Sequence, residues 1–236
     1  MSTEVFPNSP LVEVVFEIRF PGDPSFECKR DVVFRKFKDQ FPVVQVPSVF
    51  PNDRPLAFVP YKFVSADGTK SMAVAINSIF FSTTQYAGYD AFSKEAIGAL
   101  NAIAAEIPLD KINRTGLRYV NMIPFSREAG AVPLGRFLNV GLKTPASIPK
   151  EFEDINIAFI SRFDGGLLTT RVGRSDGKEG GTGEAIVLDF DYAKTEGLRF
   201  RQIKEYLKES HDHTKSLFTD MVTNQYLKVM RGEVLK

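Results

Sequence analysis

Several residue types and patterns are scarce or missing in this chain. It has no tryptophan, one cysteine and two histidines among 236 residues. The single cysteine, Cys28, excludes an internal disulfide and is typical of a reducing compartment. No apolar run approaches the ~20 residues that span a bilayer, and the first residues lack the basic stretch and apolar core of a signal peptide. These absences predict a cytoplasmic protein without a membrane-embedded segment.

An excess of charge of either sign is also missing. Lysine and arginine number 30 against 29 aspartates and glutamates, so the formal net charge is +1. The balance is similar on both sides of Phe125. A protein that binds nucleic acid through phosphate contacts normally carries a basic patch or excess. The composition therefore argues against a nucleic-acid partner.

Phenylalanine, by contrast, is abundant. The chain holds 21 phenylalanines and 7 tyrosines. Because a phenylalanine has no polar group, it usually packs in a core, which predicts a wide interface between sheet and helices. The alternative is that phenylalanines line the wall of a ligand pocket.

The strongest periodic pattern lies near the middle of the chain, in residues 90–125. Asp90 is a suitable N-cap for a helix that continues to Ile107 and is ended by Pro108. Apolar residues follow at three- and four-residue steps, which is typical of one helix face. The pattern then changes to period two, which predicts a strand over 116–123. Its first face carries Leu117, Tyr119, Asn121 and Ile123; its second carries Arg118, Val120 and Met122.

The same rules assign the remaining elements. Strands are predicted at 11–20, at one or two edge positions within 43–63, at 71–84, at 155–163 and 167–172, and at 185–192. Asp67-Gly68 and Asp164-Gly165-Gly166 predict hairpin turns. Helices are predicted at 25–40 and, as one long helix, at 199–229.

These elements predict an α+β fold in which antiparallel β-sheet carries long helices on one face. The order strand, turn, phenylalanine and long helix occurs twice, which suggests a duplication of a β-rich half that is closed by a helix. The halves are expected at 1–125 and 154–236, with 126–153 as a connecting segment rich in proline and glycine, although a single domain is also compatible.

Three stretches resemble a known set of proteins. They are FPNSPLVEVVFEIRF at the start, GLRYVNMIPF in the middle and HDHTKSLFTDMV in the last helix. Together they are similar to prokaryotic proteins of about this length, which occur sporadically among genomes and have no assigned function. The resemblance implies an accessory or defence-related role and supplies no catalytic residues.

The search for catalytic or metal-binding groups yields no constellation. His211 and His213 are two residues apart on a predicted helix, about 200° around its axis, so they cannot bind one ion together. The glycine-rich loop at 173–183 lacks the spacing of a phosphate-binding loop. Asp189 and Asp191 share one strand face that we expect to be solvated. We therefore predict no catalytic residue, metal site or cofactor.

Polar residues within apolar patterns are the better candidates for a binding site. Arg118 shares a strand face with Val120 and Met122, and His211 interrupts the apolar stripe of the last helix. One interpretation is that each is satisfied internally, Arg118 by an acidic side chain and His211 by a backbone carbonyl. The other is that they face a cleft between sheet and helix. That cleft would also contain Tyr86, Tyr89, Tyr119 and Asn121.

Three functions follow as hypotheses. The first is a binding protein that docks a partner protein or peptide on exposed, proline-rich edge segments at 42–60, and a homodimer is compatible with it. The second is a small apolar ligand held in a phenylalanine-lined pocket. The third is an enzyme that uses Arg118 and His211.

Overall fold

The structure is a computed structural model that describes residues 6–45, 61–107, 109–141, 145–149, 152–176 and 183–233. These residues form nine strands and six α-helices, and the strand pairings described between them are antiparallel. The predicted α+β class with antiparallel sheet is confirmed. The duplication and the division of the sequence at 126–153 stay predictions.

The strands are β1 (Leu11–Arg19), β2 (Val43–Gln45), β3 (Tyr61–Val64), β4 (Lys70–Ala75), β5 (Ser78–Thr83), β6 (Arg114–Phe125), β7 (Asn156–Phe163), β8 (Gly166–Ser175) and β9 (Glu184–Lys194). The helices are α1 (Ser25–Cys28), α2 (Arg30–Phe37), α3 (Tyr89–Ala104), α4 (Leu134–Phe137), α5 (Ile203–Met221) and α6 (Asn224–Met230), with a 3-10 turn at Phe200–Gln202. No helix among the described residues is long and apolar enough to cross a membrane.

Residue contacts divide the chain into two compact units. The first unit comprises Met1–Val12, Arg118–Tyr192 and His211–Lys236, and the second comprises Glu13–Leu117 and Ala193–Ser210. Each unit is assembled from separated stretches of the sequence.

In the second unit the strands follow the order β2-β3-β4-β5-β1. Successive side chains of a strand point to opposite faces, so Val14, Phe16 and Ile18 of β1 are all buried, as their alternation predicts. The predicted hairpin at Asp67-Gly68 joins β3 to β4, and Gly68 has a φ of 73°, which glycine adopts without strain. The Asp67 carboxylate accepts hydrogen bonds from Ser65 and Thr69, which hold its pKa at about 2.

Helix α3 begins two residues earlier than the sequence indicates. Gly88 occupies the N-cap position with a φ of 107°, and Asp90 lies in the first turn instead of capping the helix. The helix ends at Ala104, before the predicted Ile107, and Pro108 lies outside the described residues. Its buried residues are Tyr89, Phe92, Ser93, Ala96, Ala99, Leu100 and Ile103, which largely follow the predicted face.

The predicted helix at 25–40 is two helices. The backbone of Lys29 has φ −112° and ψ 9°, which is not helical, and it separates α1 from α2. The apolar pattern continues through the break because Phe26 and Val33, on either side of it, are both buried. Residues 46–60, which include most of the proline-rich segment, lie outside the described residues.

In the first unit the strand order is β6-β9-β8-β7. Its core combines sheet residues with residues of α4 and α6 and of the segments next to these helices and before β7. The sheet contributes Ile123, Val172, Ile186, Leu188 and Phe190; the other elements contribute Val132, Leu134, Leu138, Ile155, Val222, Tyr226, Leu227 and Met230.

The predicted long helix at 199–229 is also interrupted. Helix α5 ends at Met221 and α6 begins at Asn224. Between them Thr223 is extended, and its side chain accepts a hydrogen bond from the Tyr226 N–H and donates one to the Arg136 carbonyl. A threonine in this position is a favourable N-cap, which explains why a new helix begins here.

Candidate functional site

Arg118 of β6 forms an ion pair inside the first unit. Its Nε and Nη2 atoms lie 2.8 and 2.9 Å from the two carboxylate oxygens of Asp189 on β9. Arg171 of β8 donates to the same carboxylate over 3.0 Å. Asp189 is 2% exposed, whereas the arginine side chains are 45% and 48% exposed. The acidic partner expected for Arg118 is present, but Asp189 is buried beneath two arginines instead of lying on a solvated face.

His211 of α5 is paired with a side chain. Its Nδ1 atom lies 2.8 Å from the phenolic oxygen of Tyr119, and both residues are buried. His213 faces another group, because its Nε2 atom lies 3.0 Å from Oδ2 of Asp164. The two histidines thus have separate partners, as their spacing on a helix requires.

Asn121 and the two remaining tyrosines take structural positions. The Asn121 amide donates to the Leu188 carbonyl over 3.1 Å, which ties β6 to β9. Tyr86 and Tyr89 belong to the second unit. The Tyr86 ring packs against Phe92, and the Tyr89 ring lies beneath the Lys208 ammonium, 5.9 Å from it.

Within the first unit, Arg118 and His211 do not meet at one surface. Arg118 and Tyr119 are neighbours on β6, so their side chains point to opposite faces. Arg118 is half exposed on one face, while the Tyr119–His211 pair is buried on the other. This geometry gives no support to a shared site for Arg118 and His211.

An ion-pair network connects the segment after β6 to β8 and β9. Arg127 donates to both carboxylate oxygens of Glu184 over 2.7 Å, and Arg174 contacts Glu184 and Asp154. The hydrogen bond from Arg127 lowers the pKa of Glu184, and the Ile155 N–H followed by Arg174 lowers the pKa of Asp154. These groups stay charged near neutral pH and hold Arg127 and Asp154 against β8 and β9.

Strand β7 forms an edge of the first unit. Among the described strands it pairs with β8 alone, and all eight of its residues take part. Directly opposed residues share a face, so the buried residues of β8 identify the core-side face of β7. That face carries Ile157, Phe159, Ser161 and Phe163, and the other carries Ala158, Ile160 and Arg162.

This edge exposes apolar side chains on both faces. Ile160 is 68% exposed, and Phe159 and Phe163 are 45% and 46% exposed. Phe163 packs edge-on against Tyr192 and His213, which leaves its other side open. Exposed apolar side chains that are grouped on one strand mark an interaction site more often than isolated apolar residues do.

A phenylalanine-lined groove lies elsewhere in the first unit. It has a volume of about 340 Å³, and its walls include Phe125, Phe137 and Tyr226. Burial raises the pKa of Tyr226 to about 12, so its hydroxyl stays protonated at neutral pH. The Arg136 guanidinium, over the Phe137 ring, forms part of the rim.

A second cleft lies in the second unit, along α3 and the start of α5. Its volume is about 640 Å³. The lining residues are Tyr89, Asp90, Ser93, Lys94, Ile97, Gly98, Asn101, Lys204 and Lys208. Of the six predicted site residues, Tyr89 is the one that borders either of these two pockets.

No family model matches the chain, and no curated protein matches it.

Sequence reasoning did not single out β7 or the lysine-bordered cleft. Strand β7 was predicted as a strand, but its exposure depends on strand order, which no local pattern contains. The four-residue spacing of Tyr89, Ser93, Ile97 and Asn101 was a readable signal for one helix face.

Proposed function

We propose that this protein docks a partner protein, whose extended segment adds as a further strand to the β7 edge. The observation that carries the proposal is the exposed edge itself, an eight-residue strand paired on one side among the described residues. Backbone N–H and C=O groups at such an edge can pair with another chain.

Natural edge strands are usually protected against this pairing. Protection takes the form of short strands, prolines, lysines, bulges or inward-pointing charges. Strand β7, with the sequence NIAFISRF, has no proline or lysine, and its only charged residue is Arg162. The other edge strand, β2, has three residues in the part of the chain that the structure describes. Of the two described edges, β7 is therefore the one better suited to receive a partner.

The two faces of β7 determine which segment would fit. A partner strand places alternate residues on each face. On the core-side face, apolar side chains would cover Phe159 and Phe163. On the other face, an acidic side chain would approach Arg162, beside the sheet surface that also carries Arg118 and Arg171. The expected partner segment is extended, with apolar and acidic residues in alternation.

The test compares two matched substitutions, Ile160→Lys on β7 and Ile148→Lys away from it. Both isoleucines are exposed, by 68% and 45%, so neither change should alter folding stability by more than about 0.5 kcal/mol. Proteins retained by each variant are captured from the source cells and quantified by mass spectrometry. The wild type and Ile148→Lys should retain the same partner protein, and Ile160→Lys should lose it. In the complex, backbone amides of 156–163 should exchange more slowly.

Sedimentation velocity distinguishes a second copy of the chain from a different partner. If the partner is a second copy, the wild type sediments as a dimer and Ile160→Lys as a monomer. Identical sets of retained proteins for all three variants, together with unchanged sedimentation, would contradict the proposal.

The groove lined by Phe125, Phe137 and Tyr226 supports a second candidate, the binding of a small apolar ligand. Its volume of about 340 Å³ lies within the range of ligand pockets. The neutral Tyr226 hydroxyl supplies a donor at an otherwise aromatic wall.

Titration with 2-naphthol tests this candidate. The substitution Gln225→Phe fills the groove, whereas Lys228→Phe alters an exposed residue of α6 that does not line it. Binding that Gln225→Phe abolishes and Lys228→Phe preserves supports the candidate. Absence of saturable binding, or equal binding by both variants, contradicts it.

A further inference from the structure

The cleft along α3 and α5 has the size of a small-molecule site. Its volume of about 640 Å³ falls in the range that encloses ligands of drug size. Tyr89, Ser93, Ile97 and Asn101 recur every four residues on α3 and form a continuous wall. Lys204 and Lys208, also four residues apart, border it from α5.

The charged residues of the cleft are mostly basic. Lys94, Lys204 and Lys208 contribute three ammonium groups, against one carboxylate from Asp90. Ammonium groups that converge on one cavity attract an anion, and cavity walls of low dielectric strengthen that attraction. Lys208 also lies 5.9 Å above the Tyr89 ring, so charge and aromatic surface meet at one end of the cleft.

Ser93 places a hydroxyl group on the wall of the cleft. The residue is 7% exposed and lines the cleft together with Tyr89 and Ile97. A hydroxyl can both donate and accept a hydrogen bond, so Ser93 can pair with a polar group of an occupant.

Gly98 leaves the floor of the cleft open. It lies inside α3, and a Cβ atom built at this position would meet no atom within 4 Å. The packing of the protein therefore does not require a glycine here. A side chain at this position would instead project into the cleft that Gly98 lines.

We propose that this cleft binds a small organic anion, a phosphate monoester or carboxylate attached to a flat apolar body. The lysines bind the anionic group, Ser93 donates or accepts a hydrogen bond, and the apolar body lies against Tyr89 and Ile97. This site is separate from the β7 edge and does not depend on partner docking.

Three probes share one ring and test the ligand class: phenyl phosphate, benzoate and uncharged phenol. Titrations followed by two-dimensional ¹H–¹⁵N NMR should give saturable shifts in residues 89–101 and 204–208 with one or both anions. Phenol should bind at least tenfold more weakly. A preference between the two anions assigns the site to phosphate monoesters or to carboxylates.

Two variants test the site without disturbing the fold. Gly98→Leu fills the floor and should abolish binding while thermal stability is retained or increased. The double substitution Lys94→Gln and Lys204→Gln should weaken anion binding at least tenfold. Lys38→Gln, an exposed lysine outside the cleft, is the matched control and should bind as the wild type does.

Three results would overturn the proposal. They are the absence of saturable shifts with both anions, equal affinity for phenol, and full binding by a stably folded Gly98→Leu variant.

Discussion

The phenolic oxygen of Tyr119 lies 2.8 Å from Nδ1 of His211, and both side chains are at least nine-tenths buried. This hydrogen bond joins β6 to α5 within the first unit. The polar His211 lies in the apolar stripe of its helix because it pairs with Tyr119, which is 92 positions away in the chain.

Tyr119→Phe removes the hydroxyl and preserves the ring. Because His211 loses this hydrogen bond inside the protein, the free energy of unfolding should fall by about 1–3 kcal/mol. Urea denaturation measures the change. Tyr206→Phe is the comparison: it removes a hydroxyl that donates to the Gly197 carbonyl at an exposed position, and it should cost less. An equal cost for both variants would show that the Tyr119–His211 hydrogen bond contributes little.

The buried carboxylate of Asp189 predicts non-additive effects of its two arginines. After Arg118→Gln or Arg171→Gln alone, the other arginine still neutralises Asp189. Each single change should therefore lower the free energy of unfolding by about 1 kcal/mol. After both changes the Asp189 charge is buried without either arginine, and the free energy of unfolding should fall by about 3–5 kcal/mol. A double-mutant cycle in urea measures the coupling. A double variant that costs only the sum of the single changes would contradict this account.

Local patterns were sufficient for most strands and for the core. Ile186, Leu188 and Phe190 alternate along β9, and all three are fully buried as predicted. Alternation predicts burial correctly here because successive residues of a strand point to opposite faces, and the face that is buried carries apolar residues.

The helix breaks at Lys29 and Thr223 could not be predicted from the apolar pattern. Apolar residues on each side of a break still reach the core, so the helical spacing continues across it. What ends the first helix segment in each case is backbone geometry and, at Thr223, a hydrogen bond to the Arg136 carbonyl.

The partners of Arg118 were hidden by long-range pairing. Asp189 lies 71 positions away and becomes adjacent only because β6 neighbours β9 in the sheet. The alternation in β9 placed Asp189 opposite the core-facing residues, which suggested solvent. Two arginines cover it instead, and no local pattern encodes that contact.

Asp67 predicts how stability depends on acid. Hydrogen bonds from Ser65 and Thr69 lower its pKa from 3.8 to about 2 in the folded protein. A lowered pKa in the folded state contributes stability above the unfolded value, and this contribution disappears as pH falls from about 4 to 2. Asp67→Asn should therefore be less stable than the wild type at pH 7, and the difference should shrink over that interval.

Urea titrations at pH 7, 5, 3.5 and 2.5 measure this convergence. Asp39→Asn, at an exposed position, controls for the general loss of one negative charge. If the stability difference between Asp67→Asn and the wild type stays constant from pH 7 to 2.5, the turn hydrogen bonds do not depend on the ionised carboxylate.

Substitution of Gly98 should raise the stability of the protein while it reduces the space in the proposed anion cleft. A glycine inside a helix costs about 0.5–1 kcal/mol relative to alanine, because it loses more backbone freedom on folding. No atom lies within 4 Å of the site for a Cβ, so Gly98→Ala should raise the free energy of unfolding by that amount. The reverse is expected for Gly68→Ala, since Gly68 has a φ of 73° that strains an alanine. A destabilised Gly98→Ala variant would mean that the floor of the cleft is closed in solution, which would contradict both this prediction and the anion site.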